Sequence, residues 1–486
     1  MNGIGVSIII FLTVSFGLGI YAAFQVKGKT KSYIVCAKTL PLWLVALMLT
    51  AQSVDANAGI GNVFLVGTGG FWAGAVIPIG LALCLFMVGI FFAKPLNRMN
   101  LLTLPDFYFR RYDRTTNIMA SIAMLVSFVI LVAGNIAGAG FLMSYAFGWE
   151  YVTGLIVITS IIILYSFGGG LYSCAYTDLV QISLAIIGSL LAFIWLQAHF
   201  GSAFLWANVP TNFYDLSGLT KAGDGALINW AAIAALGFGD IIALDFMERV
   251  FAAKTPETAR RGCFIGGTFT IIAGVPLSFL GLWYLSIFPD FAVERTALPH
   301  LATEIFPIVI GAFMFCGIIG AGMSTANGGI VATGTVFSRN IIQKCLPHGR
   351  ILKDSTQLLL ARTMTFPMML GAFVLAYFKP DPGMLLILAF DVVFAGCLVP
   401  LVAGLYWKGS NTVGAIACIA VGSILRLVLY YTIPEPLAGI DTLIPPVVGA
   451  AVFFPVCYFT NKKVKPKHHV ITETPSDEEV LEGLKY

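Results

Sequence analysis

The sequence predicts an all-α polytopic membrane protein of about 13 transmembrane helices. Three observations predict it. The 486-residue chain is 58% hydrophobic and 11% charged, whereas a soluble domain carries about 25% charged residues. Its apolar residues gather into stretches long enough to cross about 30 Å of hydrocarbon at about 1.5 Å per residue. Two of these stretches hold a carboxylate and glycines near their middle, where a lipid-facing helix tolerates neither readily.

In chain order the spans fall at about 5–25, 41–66, 71–93, 117–147, 151–168, 177–199, 228–252, 263–288, 305–338, 358–378, 383–407, 412–432 and 443–461. The first is uninterrupted and longer than the apolar core of a cleaved signal, so it reads as a retained helix. The second, PLWLVALMLTAQSVDANAGIGNVFLV, has Gln52, Ser53, Asp55 and Asn57 at its centre, followed by Gly59 and Gly61. A carboxylate at that depth costs about 2.5–3.5 kcal/mol on insertion scales, and the glycines weaken the helix at the same place. The seventh, INWAAIAALGFGDIIALDFMERV, repeats the pattern, with a break expected at Gly237 and Gly239 beside Asp240.

Spans two to six and seven to eleven make two blocks of five. An odd number of crossings sends the blocks into the membrane from opposite sides, each led by its interrupted span. That is the pattern of a five-plus-five inverted repeat, with the transport site at the breaks. The expected organisation is a transmembrane domain over 1–461, with repeats at about 41–199 and 228–407, and a cytoplasmic tail over 462–486. Lys and Arg bias sets orientation. With the N-terminus outside, 24 of 28 basic residues fall on one side, leaving Lys221, Arg295 and Lys379 on the other and Arg426 within a span. This predicts N-out and C-in, in the plasma membrane. The net charge of +4 follows the membrane sides, so lipid is the expected partner and nucleic acid is not. None of the nine cysteines falls in an outer loop and no Cys-x-x-Cys pair occurs, which argues against a disulfide framework or thiolate metal site.

Unwound backbone in a membrane needs polar partners. A Na+ ion, which prefers several hard oxygens, is a suitable one. The ninth span supplies hydroxyls: its GAGMSTAN run places Ser324 and Thr325 at one helix level beside small residues that permit close approach. The same hydroxyls could instead bond back to their own helix. Asp55 could be a structural hydrogen-bond knot. Gln52 and Asn135 either face a cavity or tie helices, and Asp240 either binds solute or sits nearer solvent. Asp245 reads as structural, and Asp391 is either structural or a solute contact. The GFGD run at 237–240 matches an intramembrane aspartyl protease motif. However, the Tyr-Asp pairs at 112–113 and 214–215 lie in predicted loops, which excludes the second carboxylate such an enzyme needs.

At this point the motifs resemble the sodium/solute symporter family, which includes proline, sodium–glucose and high-affinity choline transporters. The resemblance spans nearly all of residues 5–460. It is carried by FFAKP at 91–95, GGLYSCAYTDLVQ at 169–181, MSTANGGIVATGTVFSRNI at 323–341 and KGSNTVGA at 408–415. It implies a LeuT-type fold with one extra N-terminal helix, and Na+ as the co-transported ion. It implies a sodium site of the Ser53, Ala56 and Ala321 carbonyls with the Ser324 and Thr325 hydroxyls, and Asp55 close by. The motifs lean toward the choline branch, yet Ser53, Val132 and Ala243 stand where that branch would place an aromatic cage for a quaternary ammonium. Gln52, Asn57, Asn135 and Asp240 make a more polar centre for a hydrogen-bonding solute. The expected function is Na+-coupled uptake of a small polar organic solute by alternating access. Transport of choline or another quaternary amine, and a transporter-like sensor or channel, are the alternatives.

Overall fold

The computed structural model describes residues 3–26, 29–290, 293–346, 352–462 and 464. Among them the regular structure is helical, apart from an isolated bridge between Leu40 and Ala253. Each predicted span meets a helix or a broken pair. They are α1 (Gly3–Gln25), α2 (Leu42–Ser53) with α3 (Ala56–Gly69), α4 (Phe71–Arg98), α5 (Arg114–Phe147), α6 (Tyr151–Phe167), α7 (Gly169–His199), α8 (Ala226–Ile242) with α9 (Leu244–Ala252), α10 (Pro256–Ile287), α11 (Ile308–Cys345), α12 (Asp354–Phe378), α13 (Pro382–Tyr406), α14 (Thr412–Thr432) and α15 (Ile440–Thr460). Ten of these are long and apolar enough to cross a membrane unaided, and the α8–α9 pair, bent by 47°, passes the same test together. All but two residues of the 462–486 tail lie outside the described residues.

Local signals set the helix ends. Asp55, Asp113, Thr255, Asp381 and Asn411 each accept a bond from a backbone N–H three residues on, satisfying donors that a helix start leaves free. Pro256 and Pro382 follow two of these caps at the first helical position, where a missing N–H costs nothing.

The break between α2 and α3 falls at Val54 and Asp55, as expected. The break in the seventh span falls later than expected. Gly237 and Gly239 stay helical in a π-turn, and the chain becomes extended at Ala243 (φ −61°, ψ 127°). The two glycines serve close packing instead: a Cβ on Gly239 would come 2.5 Å from the Phe390 carbonyl, and one on Gly237 2.8 Å from Leu83. The sixth span also starts earlier than predicted, at Gly169 rather than 177. Gly170 turns the chain at φ +56°, and a Cβ there would strike Tyr33 at 2.5 Å, so only glycine fits. This earlier start moves Asp178 from the end of the span to its third turn.

The core places α11 against α7, α5 and α1, with α13 on α5 and α10 on α4 and α2. At one end of the bundle the chain leading into α2 is bridged to the end of α9. Leu40 N–H donates to Ala252 O at 3.2 Å, Lys254 N–H donates to Leu40 O at 3.1 Å, and Asn97 Nδ2 donates to Val250 O at 2.7 Å. At the other end Arg295 Nη2 lies 2.8 Å from Asp381 Oδ2, with its guanidinium over the Phe64 ring. Arg426, the basic residue expected within a span, is buried on α14 between Asp391 of α13 and Asp441 of α15. Asp391 also accepts from Thr442, so its carboxylate is engaged by α14 and α15.

Replacing Arg426 by Ala leaves Asp391 buried without its cation, a loss of about 3–5 kcal/mol. The expected outcome is a clearly lower unfolding temperature in detergent, partly restored in the Asp391→Asn/Arg426→Ala double variant. Additive single and double effects would refute the pairing.

Candidate sodium and solute site

The centre of the bundle is where α2 stops. Its last carbonyls have no helical partner, and Thr325 Oγ1 of α11 donates to one of them, Ala51 O, at 3.4 Å. The carbonyl so bonded lies two residues before Ser53. Ala56 opens α3, its methyl 2.6 Å from where a Cβ on Gly322 would stand, while its carbonyl faces Gly138 of α5. Ser53 Oγ donates back to Leu49 O at 3.1 Å along its own helix. Ala321, Ser324 and Thr325 are all fully buried. The structure therefore brings the end of α2, the start of α3 and the Ser324–Thr325 level of α11 together.

Asp55 caps α3 and anchors it. Its Oδ1 accepts from Ala58 N–H at 2.8 Å, and its Oδ2 accepts from Asn135 Nδ2 at 2.6 Å and from Asn57 Nδ2 at 3.4 Å. Asn135 Oδ1 in turn accepts from Ala56 N–H at 3.2 Å. One asparagine on α5 thus holds both the cap carboxylate and the first free N–H of the half-helix. The hydrogen-bond knot and a place beside the break are both true of Asp55. Asn57 also donates to Leu131 O at 3.1 Å, which leaves its Oδ1 without a partner.

Gln52 reaches Ser324 Oγ at 3.1 Å. With its amide turned to suit its neighbours, it donates to Asp245 Oδ2 and accepts from Arg249 Nη2, both at 2.7 Å. Ser324 donates to Asp178 Oδ1 on α7, and Arg249 Nη2 lies 3.7 Å from Asp178 Oδ2. This chain of contacts couples α2, α7, α9 and α11. Asp240, near the end of α8, is fully buried with neither oxygen hydrogen-bonded.

Sequence reasoning missed Asp178 and Arg249. Asp178 lay in the quoted GGLYSCAYTDLVQ run, but the sixth span was started only one residue before it. Arg249 was counted with the basic residues of a loop, and it is wholly buried. Asn327 was also passed over: it is buried one turn beyond Ser324, with its amide oxygen and nitrogen both unpartnered. A polar side chain on a nearly all-glycine-and-apolar helix was the available signal.

The oxygens gathered here are hard donors: helix-end carbonyls, two hydroxyls and nearby carboxylates. Their chemistry fits Na+, which demands several oxygens and no soft ligand. The sodium:solute symporter family profile matches residues 33–422. The chain belongs to the sodium:solute symporter family. It is 25% identical over 443 residues to the human high affinity choline transporter 1, across 87% of this chain and 76% of that protein. It is 26% identical over 461 residues to the sodium/pantothenate symporter of Escherichia coli K12, across 92% and 94%. Its fold is similar to that of a Na+-coupled sialic acid symporter solved in a substrate-bound outward-open state, with a TM-score of 0.78 at 15% identity, covering 96% of this chain and 99% of that one. This symporter is thus an integral membrane transporter of LeuT-type fold, not an enzyme, and Na+ is its co-transported ion.

Replacing Asn135 by Ala leaves the Asp55 carboxylate and the Ala56 N–H each short of a partner. Leaving buried polar groups unpaired costs about 1–3 kcal/mol apiece. The symporter should lose thermal stability in detergent, more than for Ser53→Ala, whose hydroxyl only bonds back along its own helix. Equal effects would show that Asn135 does not clamp α3.

Proposed function

We infer that this symporter imports a small polar organic solute with Na+ held between the α2–α3 break and α11. The observation that carries the reading is the bond from Thr325 to the free carbonyl end of α2, beside Ser324. In this reading the carbonyls of Ser53, Ala56 and Ala321 and the hydroxyls of Ser324 and Thr325 hold Na+, with Asp55 close by. Gln52, Asn57, Asn135 and Asp240 meet the solute. The repeats run over about 41–199 and 228–407, and the chain lies N-out and C-in in the plasma membrane, as its basic residues favour. Relatives named for choline and for pantothenate favour a small polar solute.

The breaks explain the coupling. Na+ binding orders the frayed end of α2, and that order completes the adjoining surface for solute. Each ligand then raises the affinity for the other by the same factor. Asn135 fixes the start of α3 while Gln52 links α2 to α9, so the two half-helices respond together. The bridge at Leu40 and the Arg295–Asp381 pair close opposite ends, and alternating access requires that they open in turn. A tenfold Na+ gradient supplies about 1.4 kcal/mol and a 100 mV potential about 2.3 kcal/mol per charge. Together, about 3.7 kcal/mol concentrates a neutral solute several hundredfold, so one ion suffices.

Purified symporter in proteoliposomes should show solute counterflow that requires Na+, which neither a sensor nor a gated pore produces. Replacing Thr325 by Ala should raise the half-saturating Na+ concentration about tenfold or more while leaving the protein folded. A variant with unchanged Na+ dependence would refute this site.

A further inference from the structure

Five carboxylates are buried in the centre, Asp55, Asp178, Asp240, Asp245 and Glu248, each no more than 2% exposed, and Arg249 is the cation buried among them. Arg249 is already shared. It lies 3.7 Å from Asp178, donates to the Asp245 carbonyl at 2.9 Å, meets the Asp245 carboxylate through Gln52, and acts electrostatically on Glu248. Asp55 is served by three N–H donors. Asp240 has none of this. Neither oxygen has a hydrogen-bond partner. The groups acting on it are the acidic Asp245 and Asp55 and, as a weak thiol donor, Cys84 of α4.

A buried carboxylate without a partner is costly, and like charges nearby add to the cost. One bound Na+ beside Asp55 brings no hydrogen-bond donor to Asp240. The group that answers both the charge and the free lone pairs is a cation that donates hydrogen bonds. Asn57 Oδ1, packed against Gly134 of α5, is a further buried acceptor lacking a donor. A carboxylate-bearing solute would add a like charge beside Asp240, Asp245 and Asp55. A quaternary ammonium carries no N–H, and Ser53, Val132 and Ala243 offer it no aromatic face.

We propose that the solute is an organic cation with N–H donors, a protonated amine or guanidinium group, whose charge pairs with Asp240. This rests on the symporter reading above and specifies its substrate class. Import then carries two positive charges per cycle, one from Na+ and one from the solute.

The test uses purified full-length symporter in proteoliposomes, with NaCl or KCl, and thermal shift in detergent as a second readout. The probes are propylamine, 1,4-diaminobutane, ethanolamine and guanidinium, each against propanol, propionate and tetramethylammonium. Amines or guanidinium should be taken up and should stabilise the protein, with affinity reduced about thirtyfold or more in Asp240→Asn. Asp240→Glu, which keeps the charge, should recover part of it, and Asp240→Asn should unfold no earlier than the parent without solute, because it removes an unpartnered buried carboxylate. Amine binding that ignores Na+ would support the cation assignment while refuting Na+ coupling. Na+-dependent uptake confined to propanol, propionate or tetramethylammonium would overturn the assignment and leave symport standing. Binding of propylamine and propanol alike, or no response to any amine or guanidinium, would also overturn it.

Discussion

A helix that stops inside a membrane protein leaves backbone groups that no water reaches, and the rest of the structure depends on how those groups are met. At the α2–α3 break the start of α3 is met permanently. Asp55 caps it, and Asn135 holds both the cap and the Ala56 N–H. At the end of α2, Val54 N–H closes the Thr50 carbonyl at 2.9 Å, and the next carbonyl, Ala51 O, has a longer 3.4 Å bond from Thr325. That asymmetry gives a fixed half and a half that a bound cation can complete. The site is thus a consequence of where satisfaction is left unfinished.

Charge adds a second layer. Gln52, Ser324, Asp178, Asp245 and Arg249 form a connected set on four elements. Such a buried network gains little net stability, because desolvation offsets most of the attraction. It does make the positions of α2, α7, α9 and α11 interdependent. In the proposed sites, a cation near Ser324 would compete with Arg249 for the same oxygens, and a solute beside Asp240 would act on the same field through Asp245. The two proposed ligands would then be coupled through shared carboxylates as well as through the order of α2.

How much was legible depends on what each residue's signal was. Asp55 and the Ser324–Thr325 pair stood out because a carboxylate or paired hydroxyls in a membrane-length apolar run are costly. Asp391 and Arg426 stood out for the same reason, and the structure pairs them. Asp178 was obscured because polar neighbours Ser173 and Thr177, buried against the bundle, lower the hydropathy of the turn before it. Arg249 was obscured because a basic residue near a span end ordinarily reaches water. The glycines of the seventh span were read as a break, but they are needed for contact with α13 and α4, and the chain opens at Ala243 instead.

The sequence by itself determined that the chain is helical and membrane-spanning, where its helices lie, which two are interrupted, and that it is a Na+-coupled symporter by its motifs. Those properties follow from hydropathy, helix-end chemistry and local runs, all short-range along the chain. Only the tertiary structure decided which polar groups meet. Asn135 lies 80 residues from Asp55, and Ser324 lies 146 from Asp178. No local pattern encodes such pairings, because they arise when separate helices pack and each buried donor finds the acceptor that packing puts in reach. The tertiary structure also decided that Asp240 is left without one, and a group that packing leaves unsatisfied is where a ligand has most to gain.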